Sequence, residues 1–267
     1  MREVLVRSLT GVVYILVTVG AALAGPFTTM LLFLPIALMS AIELHRLQWQ
    51  GHDAPPIYWA PLITVALYLT IAIGPSLPDP RAGHPFAVAA LLLFITAGWV
   101  LMRRPVDPTS ELGAFSFTLI YIALPFATAP LLVAIDGRLF IGTMALLWTS
   151  DTAAYVTGRS FGRHLLVPHI SPKKTVEGLL GAILFTTAAA WFLSRYWSVL
   201  SLGQWIIVGA IVVVAGTLGD LLESAFKRAA QVKDSGDLLP GHGGLLDRFD
   251  GFLIAAPAVW LYLHAAI

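Results

Sequence analysis

The sequence has no cysteine among its 267 residues and little charge, with Asp, Glu, Lys and Arg together making up 12%. The first absence excludes disulfides, thiolate zinc sites and cysteine nucleophiles, while leaving the redox compartment open. The second excludes an ordinary soluble domain, which carries roughly 25% charged residues. A net charge of +1 gives no reason to invoke nucleic acid as a partner. No internal repeat is evident, so nothing supports an inverted-repeat transporter. What the chain has in quantity is apolar: 58% of its residues are hydrophobic and the mean hydropathy is +0.82. This is the composition of an all-α polytopic membrane protein. One membrane domain over residues 1–267 is expected, with N-terminal helices over 1–140 and, over 141–267, the helices and cytoplasmic loops that carry most of the charge clusters taken up below.

Apolar segments of roughly 17 to 25 residues can cross a bilayer as helices. They predict about nine spans, near Leu9–Ala24, Phe27–Ile42, Ile57–Ile73, Phe86–Met102, Phe115–Ala134, Leu139–Val156, Val176–Leu193, Trp205–Ala225 and Phe252–Ala266. Arg2, Arg7 and Ala22-Leu23-Ala24 imitate a cleavable signal peptide, but another apolar segment follows at once, and an uncleaved first span is expected. Pro125 and Pro130 predict a kink in the fifth span. With the N-terminus inside, 13 of the 16 Lys and Arg residues fall in cytoplasmic segments, and only Arg81, Arg138 and Arg195 fall opposite. The basic loops 157–175 and 227–251 then share the cytoplasmic face. Trp49, Trp59, Trp99 and Trp148 read as interfacial belt or packing residues.

Charge concentrates where the eighth span ends. Asp220, Glu223, Ser224 and Lys227 stand at offsets of 0, 3, 4 and 7, along one helical face. Glu223 and Lys227 form an i,i+4 pair in the favourable order. Asp220 lies roughly 12 Å before the helix end and needs a partner from elsewhere. An ionisable group inside a span costs about 3 kcal/mol on insertion scales and marks a functional site by default. The following loop adds Lys233, Asp234, Asp237, His242, Asp247, Arg248 and Asp250 among Gly236, Gly241, Gly243 and Gly244. Hard carboxylate ligands, cations and glycines suit a magnesium-phosphate site, with Asp220 and Asp247 as the expected ligands. Asp247 and Asp250 also fit a plain helix start, where the macrodipole favours acids. His242 has no ligand-spaced partner, so a phosphate or loop-structuring role is expected before zinc.

A second cluster runs from Ser150-Asp151 to Ser171-Pro172-Lys173-Lys174-Thr175-Val176-Glu177-Gly178. Ser171-Pro172 reads as an N-cap followed by proline in the first helical turn. Lys173 and Lys174 would then oppose the helix dipole, a conflict that an anion bound at the helix start removes. The alternative is ordinary positive bias beside a span. Asp151 and Glu43 read equally as site carboxylates or as membrane-interface residues.

At these residues the chain resembles the phosphatidate cytidylyltransferases, or CDP-diacylglycerol synthases. The resemblance rests on Ser224-Ala225-Phe226-Lys227-Arg228, Lys233-Asp234 and Leu239-Pro240-Gly241-His242-Gly243-Gly244-Leu245-Leu246-Asp247-Arg248-Phe249-Asp250, a run of 27 positions. Asp151-Thr152-Ala153-Ala154-Tyr155, Gly158-Arg159, Phe161-Gly162 and Ser171 to Gly178 resemble the same family's second motif. The pattern departs at Ala153, where glycine is expected, and at Val176, where tryptophan is usual. The resemblance implies CTP and phosphatidate as substrates and CDP-diacylglycerol and pyrophosphate as products. It also implies magnesium, a monovalent cation such as potassium, a homodimer, and a bacterial inner membrane with the active site facing the cytoplasm. Carried over by position, Asp220, Lys227 and Asp247 become the catalytic residues, with the metal on Asp220 and Asp247. Ser171, Lys173, Lys174, Ser224, Arg228, Lys233, His242 and Arg248 become substrate contacts. A CTP-dependent polyprenol kinase and an ion-coupled transporter remain as alternatives; the Asp-Gly-x-x-Ala-Arg pattern of CDP-alcohol phosphatidyltransferases is missing.

Overall fold

A computed structural model describes residues 2–50, 54–74, 85–103, 105–236 and 243–266. The chain folds into two compact units, Met1–Leu131 with Val232–Asp247, and Leu132–Gln231 with Arg248–Ile267. Residues Val232–Asp247, with part of the glycine-rich segment, belong with the N-terminal unit.

The first unit opens with α1 (Arg2–Ala24) and α2 (Pro26–Gln48), separated by Gly25 alone. Gly25 has φ +117, a conformation open to glycine, and Pro26 starts α2 without needing an N–H partner. Thr28 and Thr29 hydroxyls donate back to the Ala21 and Gly25 carbonyls, closing the turn. α3 (Trp59–Ile73) packs on α2, where Tyr68 donates its hydroxyl to the Met30 carbonyl at 2.8 Å. α4 (Pro85–Arg103) follows, and Trp59 and Trp99 stack at 4.9 Å, which makes them packing residues. α5 (Pro108–Thr118) starts at Asp107, whose carboxylate accepts Thr109 and Ser110 N–H groups. Those hydrogen bonds, led by the Ser110 side chain, hold the Asp107 carboxyl below its usual range.

The proline-bearing span departs from a regular helix just before Pro125. Leu119–Ala123 forms a π-helical turn, and α6 (Leu124–Ile135) continues beyond it. Proline cannot donate to the carbonyl one turn back, so the expected irregularity takes the form of a widened turn. The Thr128 hydroxyl donates to the Pro125 carbonyl at 2.6 Å.

The second unit holds α7 (Gly137–Phe161), a hairpin of β1 (Leu165–Val167) and β2 (Ser171–Thr175), α8 (Val176–Tyr196), α9 (Leu202–Ala229), and α10 (Leu246–Ala266) from Arg248 onward. The two strands are antiparallel, with Leu165 opposite Thr175 and Val167 opposite Ser171. The hairpin corrects the reading of Ser171 as a helix N-cap. Thr175 is the cap, accepting the Gly178 N–H at 3.1 Å, and Pro172 sits in a strand that has a free edge. α9 starts with a capping box from Ser201 and Gln204. Small residues bring α7 and α8 together, as in many membrane helix pairs. A Cβ on Gly181 would lie 2.6 Å from the Cβ of Thr157, and one on Gly178 would lie 2.9 Å from the Ala154 carbonyl.

Among the described residues, six helices are long and apolar enough to cross a membrane: Pro26–Gln48, Pro85–Arg103, Pro108–Ile135, Val176–Tyr196, Leu202–Ala229 and Leu246–Ala266. Gly11–Ala24 and Trp59–Ile73 are apolar but shorter. α7 carries Arg138, Asp151 and Arg159 within its length.

The α7–α8 contact predicts that Gly181→Ala destabilises the protein by about 1–3 kcal/mol through overpacking. Gly113→Ala, with nothing within 4 Å, gains helix propensity of about 1 kcal/mol and is the control. Thermal unfolding in detergent should rank Gly181→Ala below wild type and Gly113→Ala at or above it.

Candidate active site

The face predicted at the end of α9 exists, and its charges are paired along it. Lys227 Nζ meets Glu223 Oε2 at 2.6 Å, so the i,i+4 pair forms as expected. Glu223 is fully buried and Lys227 nearly so. Ser224 donates its hydroxyl to Asp220 Oδ1 at 3.3 Å. The partner that Asp220 needed comes from the hairpin: Lys174 Nζ lies 2.7 Å from Asp220 Oδ2 and reaches the Thr217 carbonyl at 3.4 Å. Placing Lys174 on β2 removes its conflict with the α8 dipole, because it precedes the helix and reaches across to α9.

A third carboxylate arrives on α10. Gly219 precedes Asp220 and Gly251 follows Asp250. A Cβ on Gly219 would run into the Asp250 carbonyl oxygen, and one on Gly251 would lie 3.4 Å from the Gly216 Cα. With no side chain between them, the two backbones touch. Oxygens of Asp220, Glu223 and Asp250 then lie within 4.8 Å of one another. Asp151 on α7 is within electrostatic reach of Asp220 and Lys174, and Asp250 within reach of Asp220, Asp151 and Lys227.

The electrostatics of this group call for a cation. Two unit charges at about 4.8 Å repel by about 3.5 kcal/mol at an effective dielectric near 20. Four carboxylates with two ammonium groups leave a formal excess of two negative charges, the charge of one divalent ion. All-oxygen donors of this kind suit magnesium, which takes one or two carboxylates and completes its shell with water and phosphate. The residues present therefore fit a magnesium site, with the two lysines able to contact phosphate beside it.

The hairpin is tied to α8 by Glu177. Its Oε2 accepts the Arg163 N–H at 3.0 Å and the His164 N–H at 3.2 Å, and Oε1 meets His164 Nδ1 at 2.6 Å. Ser171 is half-buried on β2, while Lys173 is exposed beside Lys174, and Arg228 is exposed in the last turn of α9.

The glycine-rich segment is built separately, in the first unit. Asp247 Oδ2 accepts the Ser235 N–H at 2.9 Å, the Ser235 hydroxyl at 2.9 Å and the Gly244 N–H at 2.8 Å. Gly243 has φ +77, the left-handed conformation that the turn needs there. The expected magnesium pair was Asp220 with Asp247, which belong to different compact units. The neighbours that Asp220 has within its own unit are Glu223 and Asp250. Lys233 is exposed on the segment, and Arg248 is exposed in the first turn of α10. His242, with Asp237 and Gly241, lies outside the described residues.

A profile described as the cytidylyltransferase family matches residues 5–266. The chain belongs to that family. It is 32% identical over 264 residues to a phosphatidate cytidylyltransferase of Staphylococcus haemolyticus, covering 97% of this chain and 98% of the relative. A protein of the same name from Staphylococcus epidermidis is 31% identical over 268 residues, and one from Staphylococcus aureus 28% over 260, with the same coverage of both chains. Family membership thus extends over the whole length, beyond the stretch from about 145 to 255 where the motifs are visible.

Within this cytidylyltransferase, the sequence left both Asp250 and Asp151 open between a site carboxylate and a structural acid. The signal for Asp250 was the reciprocal pair Gly219-Asp220 and Asp250-Gly251: small residues let backbones meet, and the acids beside them meet as well. The close approach predicts that Gly219→Ala, which places a methyl against the Asp250 carbonyl, separates the carboxylates. Manganese binding, followed by paramagnetic resonance, should weaken at least about tenfold. Gly203→Ala, with open space around it, should bind as wild type does.

Proposed function

We propose that this chain transfers the cytidylyl group of CTP to phosphatidate, giving CDP-diacylglycerol and pyrophosphate. The observation that carries the reading is the group of Asp220, Glu223 and Asp250 flanked by Lys174 and Lys227 at the polar end of an apolar helix. Its support from the comparisons is the shared family and the names of the relatives. About nine spans, with the N-terminus inside, would bring the basic loops to the cytoplasm, where CTP is found. Lipid then enters sideways from the inner leaflet. The membrane is the bacterial inner membrane, and a homodimer and a potassium ion accompany the reading as the family resemblance implies.

The reaction needs little proton transfer. An anionic phosphate oxygen of phosphatidate attacks the α-phosphorus of CTP; the new O–P bond forms as the bond to the bridging β-phosphate oxygen breaks. Pyrophosphate leaves with that electron pair. The work is to hold two polyanions together and screen their repulsion. Bound magnesium would supply charge neutralisation at the nucleotide phosphates. Asp220 and Asp250, with Glu223 behind them, would hold it. Lys174 and Lys227 would share phosphate charge, with Ser171, Lys173, Ser224, Arg228, Lys233, His242 and Arg248 as further contacts. We assign Asp247 first to fixing the glycine-rich segment.

Purified protein given labelled CTP and magnesium should form CDP-diacylglycerol from phosphatidate and no labelled product from a polyprenol; phosphorylated polyprenol would identify a kinase, and no product from either lipid would reject both. Asp220→Asn and Asp250→Asn should each lower turnover by about 10²-fold or more and weaken manganese binding. Asp247→Asn should lower turnover while manganese binding stays within about twofold, and lost binding would make Asp247 a ligand instead.

A further inference from the structure

Glu43 is a carboxylate that the reaction does not use. It lies near the end of α2, 4% exposed, in a helix long and apolar enough to cross a membrane. Burial of such a group is tolerated only when its oxygens are satisfied. Its partners come from about 200 positions later in the sequence. Oε1 accepts the Leu245 N–H at 3.0 Å; Oε2 accepts the Leu246 N–H at 2.8 Å and the Ser235 hydroxyl at 3.2 Å.

Those two amides are the ones that a helix start leaves unpaired, because α10 begins at Leu246. A capping side chain ordinarily comes from the residue just before the helix, and here that residue is Leu245, which has no acceptor. Glu43 supplies the missing cap from another helix, with the charge that the helix dipole favours at this end. The surroundings are shaped for it. A Cβ on Gly236 would lie 2.7 Å from Glu43 Oε1, and one on Gly244 would lie 2.7 Å from Glu43 Cδ and run into the Ser235 hydroxyl. The Ser235 hydroxyl also meets Asp247 Oδ2 at 2.9 Å, so the two acids pin both ends of the glycine-rich segment.

We infer that Glu43 is a positioning residue for the transfer reaction, capping α10 from α2 and so fixing the register of the helix start that presents Asp247, Arg248 and, one turn later, Asp250. The catalytic part of this inference rests on the proposed cytidylyl transfer; the capping part does not.

Glu43→Gln keeps the shape but turns one acceptor into a donor facing Leu245 or Leu246. In full-length protein in detergent, hydrogen–deuterium exchange of the peptide 243–250 should accelerate about tenfold, with the α7 and α8 peptides unchanged. The kcat for CDP-diacylglycerol formation should fall about tenfold in protein whose thermal midpoint shows it to be folded, and Glu43→Asp should recover part of it. Ser235→Ala, which leaves both amide bonds in place, should give a smaller acceleration and serves if Glu43→Gln does not fold. Unchanged exchange at 243–250 overturns the capping. Activity lost only in proportion to folded protein overturns the positioning role. A wild-type protein that makes no CDP-lipid rejects the functional reading, while the exchange result still decides the cap.

Discussion

The candidate site depends on one constraint: carboxylates gathered at the end of an apolar helix must be matched by positive charge. Asp220, Glu223 and Asp250 stand too close for water to screen them fully, and Asp151 adds to their field. Two lysines answer part of the demand. The remainder, a formal excess of about two negative charges, fits a divalent ion.

The backbone arrangement that creates this crowding is sparing in side chains. Gly216, Gly219 and Gly251 let α9 and α10 meet, and Gly158, Gly178 and Gly181 do the same for α7 and α8. In lipid there is little hydrophobic drive to press helices together, so close van der Waals contact between small residues takes that role. The hairpin between α7 and α8 then becomes a device for delivery. It carries Lys174 off the end of one helix pair and sets its ammonium against Asp220 on the third helix, a reach that a lysine within the first turn of α8 would make against the dipole.

Much of this was legible in the residues. The apolar segments all coincide with helices, the Glu223–Lys227 pair sits where i,i+4 spacing puts it, and the trouble expected at Pro125 is a π-helical turn. The functional face of α9 could be read from offsets alone. Ser171 was misread because Ser-Pro is a strong helix-start signal, whereas Thr175, four residues on, caps just as well and leaves Pro172 in an edge strand. Periodicity cannot rank two such caps; the pairing of β1 with β2 does. Partners far apart in sequence were the least legible. Nothing local to Glu43 announces the amides of Leu245 and Leu246, and Asp250 gains its meaning only when Gly219 admits its carbonyl. Burial of an acid was the available hint in both cases, and it says that a partner exists without saying where.

The buried acids are stabilised in two ways that suit different tasks. Glu43 is satisfied by backbone amides, which cannot leave without unwinding a helix start, so its role is fixed. The α9 acids are satisfied by lysines, which can change partners, and the two lysines differ in how readily. Lys174 and Asp220 retain 22% and 39% side-chain exposure, and a partly solvated pair of that kind is worth about 0–1 kcal/mol. Lys227 and Glu223 retain 13% and 0%, where separating the charges costs about 3–5 kcal/mol. The Lys174–Asp220 pair therefore separates at small cost and the Lys227–Glu223 pair does not. The hairpin lysine is the one of the two that changes partners readily, and the helical lysine holds the buried Glu223.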